Sequence, residues 1–265
     1  MNAKASFVFA MILLPSTQLM NAQDAINPTP ADPAAVFEAR VFQGAGGGVL
    51  PYRLLKPLGY DPRQQYPLLL LLHGAGERGV DNKLQLFHGC RDLAAEAMRR
   101  RHPALVVVPQ CPVDKRWVEV PWDAPSHAMP AEPSDPLRLT LELICALEKE
   151  FSIDPCRRYA TGLSMGGYGV WDVLQRCPKL LAAAAPICAG GDPAYAPEFA
   201  ATPVWAFHGD ADTTVAVNRS REMISALQAA GGRPVYTEYE GVGHDSWTST
   251  FANRWMWDWL FAQRK

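Results

Sequence analysis

Gly162-Leu163-Ser164-Met165-Gly166 constrains this chain more than any other stretch, because it asks a strand to turn abruptly into a helix around a single serine. Arg158-Tyr159-Ala160-Thr161, just before it, reads as a short buried strand. Gly167 through Gln175, just after it, reads as a helix with apolar positions Val170, Val173 and Leu174. A serine on so tight a turn needs small neighbours on both sides, since a Cβ there would collide with the adjoining strand and helix. The pentapeptide is common by chance, and its strand–turn–helix setting is what gives it meaning.

The rest of the chain supplies the alternation that such a turn requires. Val36–Gln43 and Val49–Lys56 flank Gly44-Ala45-Gly46-Gly47-Gly48 and predict a hairpin. The continuous apolar runs Pro67–Leu72 and Ala104–Pro109 predict strands buried on both faces. A helical stretch from Asn82 or Lys83 to Arg101, broken near Gly89, separates those two strands. An amphipathic helix follows over Leu137–Phe151, with Leu139, Leu143, Leu147 and Phe151 along one face. Beyond the serine come an apolar segment Leu180–Cys188, a strand Pro203–Phe207, a helix Val217–Ala230, a strand Pro234–Tyr239 and a last helix from about Thr248 to Phe261. Strands alternating with helices predict an α/β fold, a mostly parallel sheet covered on both faces. Residues 112–136 break the rhythm with six prolines, Trp117 and Trp122. So long an insertion in a compact domain reads as a functional loop, the alternative being a surface excursion without consequence.

Composition narrows the class. With 265 residues, 48% of them hydrophobic, the chain can bury the core of one large α/β domain over residues 36–265. A formal net charge of −2 without long runs of one sign gives no footing for nucleic acid. At the N-terminus Lys4 precedes the apolar run Phe7–Leu14, too short to cross a bilayer, and Ala22 stands at a small-residue exit. Residues 1–22 therefore read as a signal peptide and 23–35 as a flexible lead-in, which predicts a secreted or periplasmic protein with no membrane span once processed. Six cysteines without C-x-x-C or zinc-ligand spacing predict no metal site. Cys156 and Cys177 bracket the strand–elbow–helix unit and are the pair to test for a disulfide. Such a bridge would be worth about 3 kcal/mol in the chain-entropy picture. Cys111 and Cys188 read as thiols near the site.

A serine hydroxyl becomes a useful nucleophile only when a base takes its proton and an acid orients that base. Downstream of Ser164, Phe207-His208-Gly209-Asp210-Ala211-Asp212 follows a strand, and Gly241-Val242-Gly243-His244-Asp245 follows the next. Chain order selects His244 as base and Asp212 as acid. Asp210 competes for the second role but stands where it would cap the turn, and His208 reads as a buried structural residue. The oxyanion needs two preorganised donors. Met165 N–H at the helix start is one candidate, and Ala75 N–H in the loop His73-Gly74-Ala75-Gly76-Glu77-Arg78-Gly79 is the other.

Together with Pro109-Gln110-Cys111-Pro112 and Gly243-His244-Asp245-Ser246-Trp247, these motifs resemble the α/β-hydrolases grouped as "predicted peptidases", relatives of feruloyl and acetyl xylan esterases and of polyhydroxybutyrate depolymerases. The resemblance runs from about Tyr52 to the C-terminus. It implies an α/β-hydrolase fold with Ser164, Asp212 and His244 as triad and Ala75 and Met165 as oxyanion donors. It also implies hydrolysis of short-acyl or aromatic esters, small-molecule or polysaccharide-linked, without a cofactor. Trp117, Trp122 and Trp247 are expected to wall the substrate pocket. The rival readings are a serine peptidase of prolyl oligopeptidase type and a non-catalytic binding protein on the same fold.

Overall fold

A computed structural model describes residues 32–265. The signal-peptide reading of residues 1–22 and most of the lead-in fall outside the described residues. The lead-in ends sooner than expected, because Pro33–Val36 forms a short helix, α1, capped by Asp32, whose carboxylate accepts the Ala34 N–H at 3.0 Å.

The expected hairpin follows as β1 (Glu38–Gln43) and β2 (Val49–Leu55), closed by a glycine turn in which Gly47 has φ 83°. Then come β3 (Tyr66–Leu72), α2 (Cys90–Ala94), α3 (Glu96–Arg101) and β4 (Leu105–Pro109). The helical stretch expected from residue 82 or 83 to 101 is instead a 3-10 turn at Leu84–Leu86, then α2 and α3. It is broken at Gly89, whose φ of 73° suits glycine, and again at the extended Ala95. The chain continues through α4 (Asp135–Glu150), β5 (Ile153–Leu163), α5 (Met165–Arg176), β6 (Ala183–Ile187) and α6 (Ala196–Phe199). It ends with β7 (Trp205–Gly209), α7 (Asn218–Ala229), β8 (Val235–Tyr239), α8 (Ser246–Ala252) and α9 (Arg254–Ala262). The single last helix expected from the pattern is therefore two. Asn253 adopts an extended conformation that ends α8, and its side chain caps α9 by accepting the Trp255 N–H at 3.0 Å.

One sheet holds all eight strands in the order β1-β2-β4-β3-β5-β6-β7-β8. Only β1–β2 and β2–β4 pair antiparallel; β4 to β8 run parallel. This is the α/β-hydrolase fold. The unbroken apolar run of β3 has a direct cause. Leu68, Leu70 and Leu72 pack into the core under α4 and α5, while Leu69 and Leu71 pack into the opposite core with Leu93, Phe251, Met256, Trp257 and Leu260. A strand covered on both faces has no side left for polar residues.

The insertion at residues 112–136 is fastened to the body rather than hanging from it. Arg176, at the end of α5, donates to the carbonyls of Pro130, Ala131 and Glu132. Arg219, on α7 and buried, donates to Pro125 O at 3.0 Å and meets His127 Nδ1 at 2.6 Å. Met129 N–H donates to Asp192 at 2.9 Å, and Tyr168 OH donates to Trp122 O at 3.1 Å.

Cys156 and Cys177 form no disulfide; both are free thiols. The C-terminal residue occupies the ground between their segments. Lys265 N–H donates to Cys156 O at 3.2 Å, and its ammonium donates to the carbonyls of Lys179 and Leu180. Among the described residues, no helix is long and apolar enough to cross a membrane.

Candidate active site

The turn at Ser164 has the predicted strain. Its φ is 51° and ψ −119°, a region that non-glycine residues rarely occupy. The backbone is held there by Ser164 N–H donating to Ile187 O at 2.9 Å and by Tyr168 N–H donating to Ser164 O at 3.1 Å. The flanking glycines are needed for space: a Cβ on Gly162 would lie 2.6 Å from Gly166 O, and one on Gly166 would overlap Leu72 O on the next strand.

Ser164, Asp212 and His244 stand on three loops at the C-terminal ends of β5, β7 and β8, and the parallel sheet brings them together. His244 Nε2 lies 2.9 Å from Ser164 Oγ, and His244 Nδ1 lies 2.7 Å from Asp212 Oδ2. Asp212 is fully engaged. Oδ1 accepts the N–H groups of Thr214 and Val215 at 2.8 and 2.9 Å, and Oδ2 also faces His208 Nε2 at 3.2 Å. Burial by itself would raise the Asp212 pKa, but the hydrogen bonds from His208, His244 and the Val215 and Thr214 amides outweigh it. They hold the carboxyl well below the usual carboxylate range. Asp212 therefore stays ionised, its carboxylate turned to the imidazole.

The competitors fall where the sequence placed them. Asp210 is exposed and caps the turn, accepting the Gly241 N–H at 2.7 Å. His208 is buried, with Nδ1 2.8 Å from Ser220 Oγ and Nε2 2.9 Å from Val215 O. It supports the Asp212 loop and does not reach Ser164.

Ala75 and Met165 each open a helical segment, a 3-10 turn at Ala75–Glu77 and α5. The first amides of such segments have no intrahelical acceptor, so neither N–H group is used within its own segment. The loop carrying Ala75 is braced from beneath. His73 is buried, and burial, opposed by the hydrogen bond to Gly74 O and aided by the charge of Arg78, lowers its pKa to about 4. It is thus neutral: Nδ1–H donates to Gly74 O at 2.6 Å and Nε2 accepts the Cys111 N–H at 2.9 Å. Gln110 donates to Glu77 O and Asp81, and accepts the Asn82 N–H at 2.7 Å. Neither bracing role was readable from the sequence. The motif Pro109-Gln110-Cys111-Pro112 marked the place, but its partners are about thirty residues away along the chain.

The three tryptophans part company. Trp117 is fully buried, its indole N–H donating to His73 O at 3.0 Å, so it supports the Ala75 loop from within and walls no pocket. The expectation of a substrate contact there is corrected. Trp122 is half-buried, with the Arg116 guanidinium 4.3 Å above its ring and that of Arg78 at 6.0 Å. Trp247 stands edge-on to the His244 ring at 5.3 Å.

Donor atoms of Cys188, Asp212 and His244 lie within 4.8 Å of one another. They make a poor metal site. Asp212 Oδ2 and His244 Nδ1 are occupied with each other, and burial pushes the Cys188 thiol up, away from the thiolate a metal needs.

Residues 48–255 match the family described as "Putative esterase". The chain belongs to the esterase family. It is 39% identical to a solved thermostable esterase, over 87% of this chain and 64% of that one, with a TM-score of 0.81. The esterase chain thus spans somewhat under two thirds of that relative's length. A feruloyl esterase module from Clostridium thermocellum, complexed with sinapinate, shares 18% identity over 86% of this chain and 88% of its own, TM-score 0.62. Dipeptidyl peptidase 4 of Porphyromonas gingivalis shares 13% over 86% of this chain but 35% of its own, TM-score 0.62. At those identities the last two share the fold and nothing more is carried across. No curated protein matches.

Proposed function

We propose that this esterase-family chain is a serine carboxylesterase, acting on short-acyl or aromatic esters through an acyl-enzyme. The observation that carries the reading is the unbroken relay of Ser164 Oγ, His244 Nε2, His244 Nδ1 and Asp212 Oδ2, with links of 2.9 and 2.7 Å. Ser164 Oγ attacks the ester carbonyl carbon as His244 Nε2 takes its proton. The negative charge that develops on the carbonyl oxygen is met by the Ala75 and Met165 N–H groups. His244 then returns the proton to the departing alcohol oxygen, and a water activated by the same imidazole releases the acid. Asp212 holds the imidazole tautomer and offsets its charge while protonated. The residue pattern at 1–22 supports an exported enzyme.

The test is covalent labelling with a fluorophosphonate, followed by hydrolysis of p-nitrophenyl acetate. Wild type should label at Ser164, and Ser164→Ala should lose labelling and at least about a thousandfold in kcat, as removal of a triad member does elsewhere. Turnover by Ser164→Ala near the wild-type rate would overturn the assignment. Rapid cleavage of peptide anilides with no ester turnover would replace the esterase reading by a peptidase one.

A further inference from the structure

A cleft of about 650 Å3 with Phe87, His88 and Trp247 in its wall takes part in no step described so far. The start of the described chain, the segment through residues 83–92 and α8 form its walls. An aromatic row leads into it from the reacting centre. Trp247 meets the His244 ring at 5.3 Å and the His88 ring at 5.3 Å, and Phe87 meets His88 edge-on at 4.7 Å. The row is tied to the loop after β3, where Glu77 Oε1 lies 3.6 Å from His88 Nε2. Phe87 is 74% exposed, an aromatic face that water covers at a cost and a bound ring would cover with gain. Lys83, Arg91, Asp32 and Asp92 all line the same cleft, two charges of each sign, which favours no net charge in an occupant.

The chemistry of proton return fixes which half of an ester comes this way. His244 Nε2 must come within about 3 Å of the alcohol oxygen to protonate it as it leaves. The alcohol half therefore lies on the side of His244, whose ring meets Trp247. We infer that this cleft holds the leaving alcohol, and that the alcohol carries a neutral ring stacked on Phe87 and Trp247. The inference rests on the ester-hydrolysis reading above. A volume of this size fits a ring-bearing group and leaves a methyl or ethyl alcohol unheld.

The experiment varies the alcohol at constant acyl group, comparing methyl, cyclohexyl and 2-naphthyl acetates with wild type, Phe87→Ala and Phe87→Trp. The measured quantity is kcat/KM, which reports acylation, the step in which the alcohol is still bound. Taking the ratio of 2-naphthyl to methyl acetate within each protein, then comparing proteins, cancels the intrinsic reactivity of each leaving group. The ratio should fall about tenfold in Phe87→Ala, the scale of one aromatic contact, and be kept in Phe87→Trp. The ranking of methyl acetate, butyrate and benzoate should shift by less than about twofold in Phe87→Ala, a contact of that strength being confined to the alcohol. Phe87 lies outside both cores, so its truncation leaves the fold in place. An equal loss for every alcohol, or a loss that follows the acyl group instead, overturns the inference. Fluorophosphonate labelling run alongside separates the two levels. Labelled protein with an unchanged alcohol ratio removes the cleft assignment alone, whereas wild type that does not label removes the serine-esterase reading and this inference with it.

Discussion

Two aspartates within three residues of the end of β7 show how little separates a reacting carboxylate from a structural one. Asp212 turns both oxygens inward to His244, His208 and two amides, while Asp210 turns outward to cap the Gly241 N–H. Asp212→Asn replaces the acceptor facing Nδ1 and stabilises the wrong imidazole tautomer. It should lower kcat for p-nitrophenyl acetate by about 10⁴ at neutral pH. Asp210→Asn keeps an acceptor for the Gly241 amide and should change kcat by less than about twofold, in line with other exposed substitutions. The reverse ranking in steady-state assays would hand the role of acid to Asp210. The sequence could favour Asp212 from chain order and from Asp210 standing first after the strand. It could not supply the second histidine on Oδ2, since His208 reaches Asp212 only because the loop folds back over it.

Among the elements, α5 does two jobs at opposite ends. It starts at Met165, directly after Ser164, and its last residue, Arg176, ties down the Pro- and Trp-containing insertion. Arg176 Nε pairs with Asp172 at 2.5 Å, a carboxyl that burial pushes up while the guanidinium pulls it down. Both side chains are largely removed from water. Arg176→Ala leaves Asp172 buried without its partner and frees three carbonyls of the insertion. It should cost about 3–5 kcal/mol in urea unfolding and expose residues 129–132 to protease. Arg176→Met combined with Asp172→Leu removes both charges, and should recover most of the stability but none of the protection against cleavage. An Arg176→Ala protein with wild-type unfolding and an unchanged proteolytic pattern would show that the strap contributes nothing. The prolines and missing periodicity of residues 112–136 identified a segment outside the α/β rhythm. That it is strapped by Arg176 and Arg219 follows from helices whose sequence positions lie 44 to 94 residues away.

For the molecule as a whole, one buried and one half-buried histidine contribute to acid sensitivity. His73, lowered to about 4 first by burial, and His127, lowered to about 4 by burial and then by the Arg219 guanidinium, both resist protonation in the folded state. Between about pH 4 and the ordinary value of 6.5 the unfolded chain binds protons that the folded chain refuses. Stability therefore rises with pH through that window and is lost as the solution is acidified across it. For fully buried His73 the loss is on the order of 3 kcal/mol. The Asp212 carboxyl adds a further loss at lower pH, since its depressed folded pKa contributes stability above the unfolded value and forfeits it on the way down. Urea midpoints from pH 7 to 4.5 should fall steadily in wild type. The slope should be shallower in His73→Gln, which keeps polar groups near Gly74 O and the Cys111 amide but cannot titrate. Equal slopes in the two proteins would remove His73 as a source of the acid sensitivity.

The sequence by itself determined everything that depends on neighbours along the chain. The glycines around Ser164 exist because a Cβ would strike backbone, the apolar run of β3 because both its faces are covered, and the order of serine, acid and base because each follows its own strand. Helix ends were less legible: α1 and the α8–α9 break turn on the side chains of Asp32 and Asn253, which compete with ordinary loop roles for the same residues. The tertiary structure alone decided what depends on distance across the sheet. Trp117 resembled a pocket wall in sequence, yet its indole is spent on His73 O in the interior. Cys156 and Cys177 looked bridgeable from the reversal of strand into helix, but Lys265 comes in to bond both segments and the thiols stay free. Periodicity reports which face of an element is buried. It carries no information about which distant residue does the burying, and that identity separates a ligand contact from a brace and a bridge from two thiols.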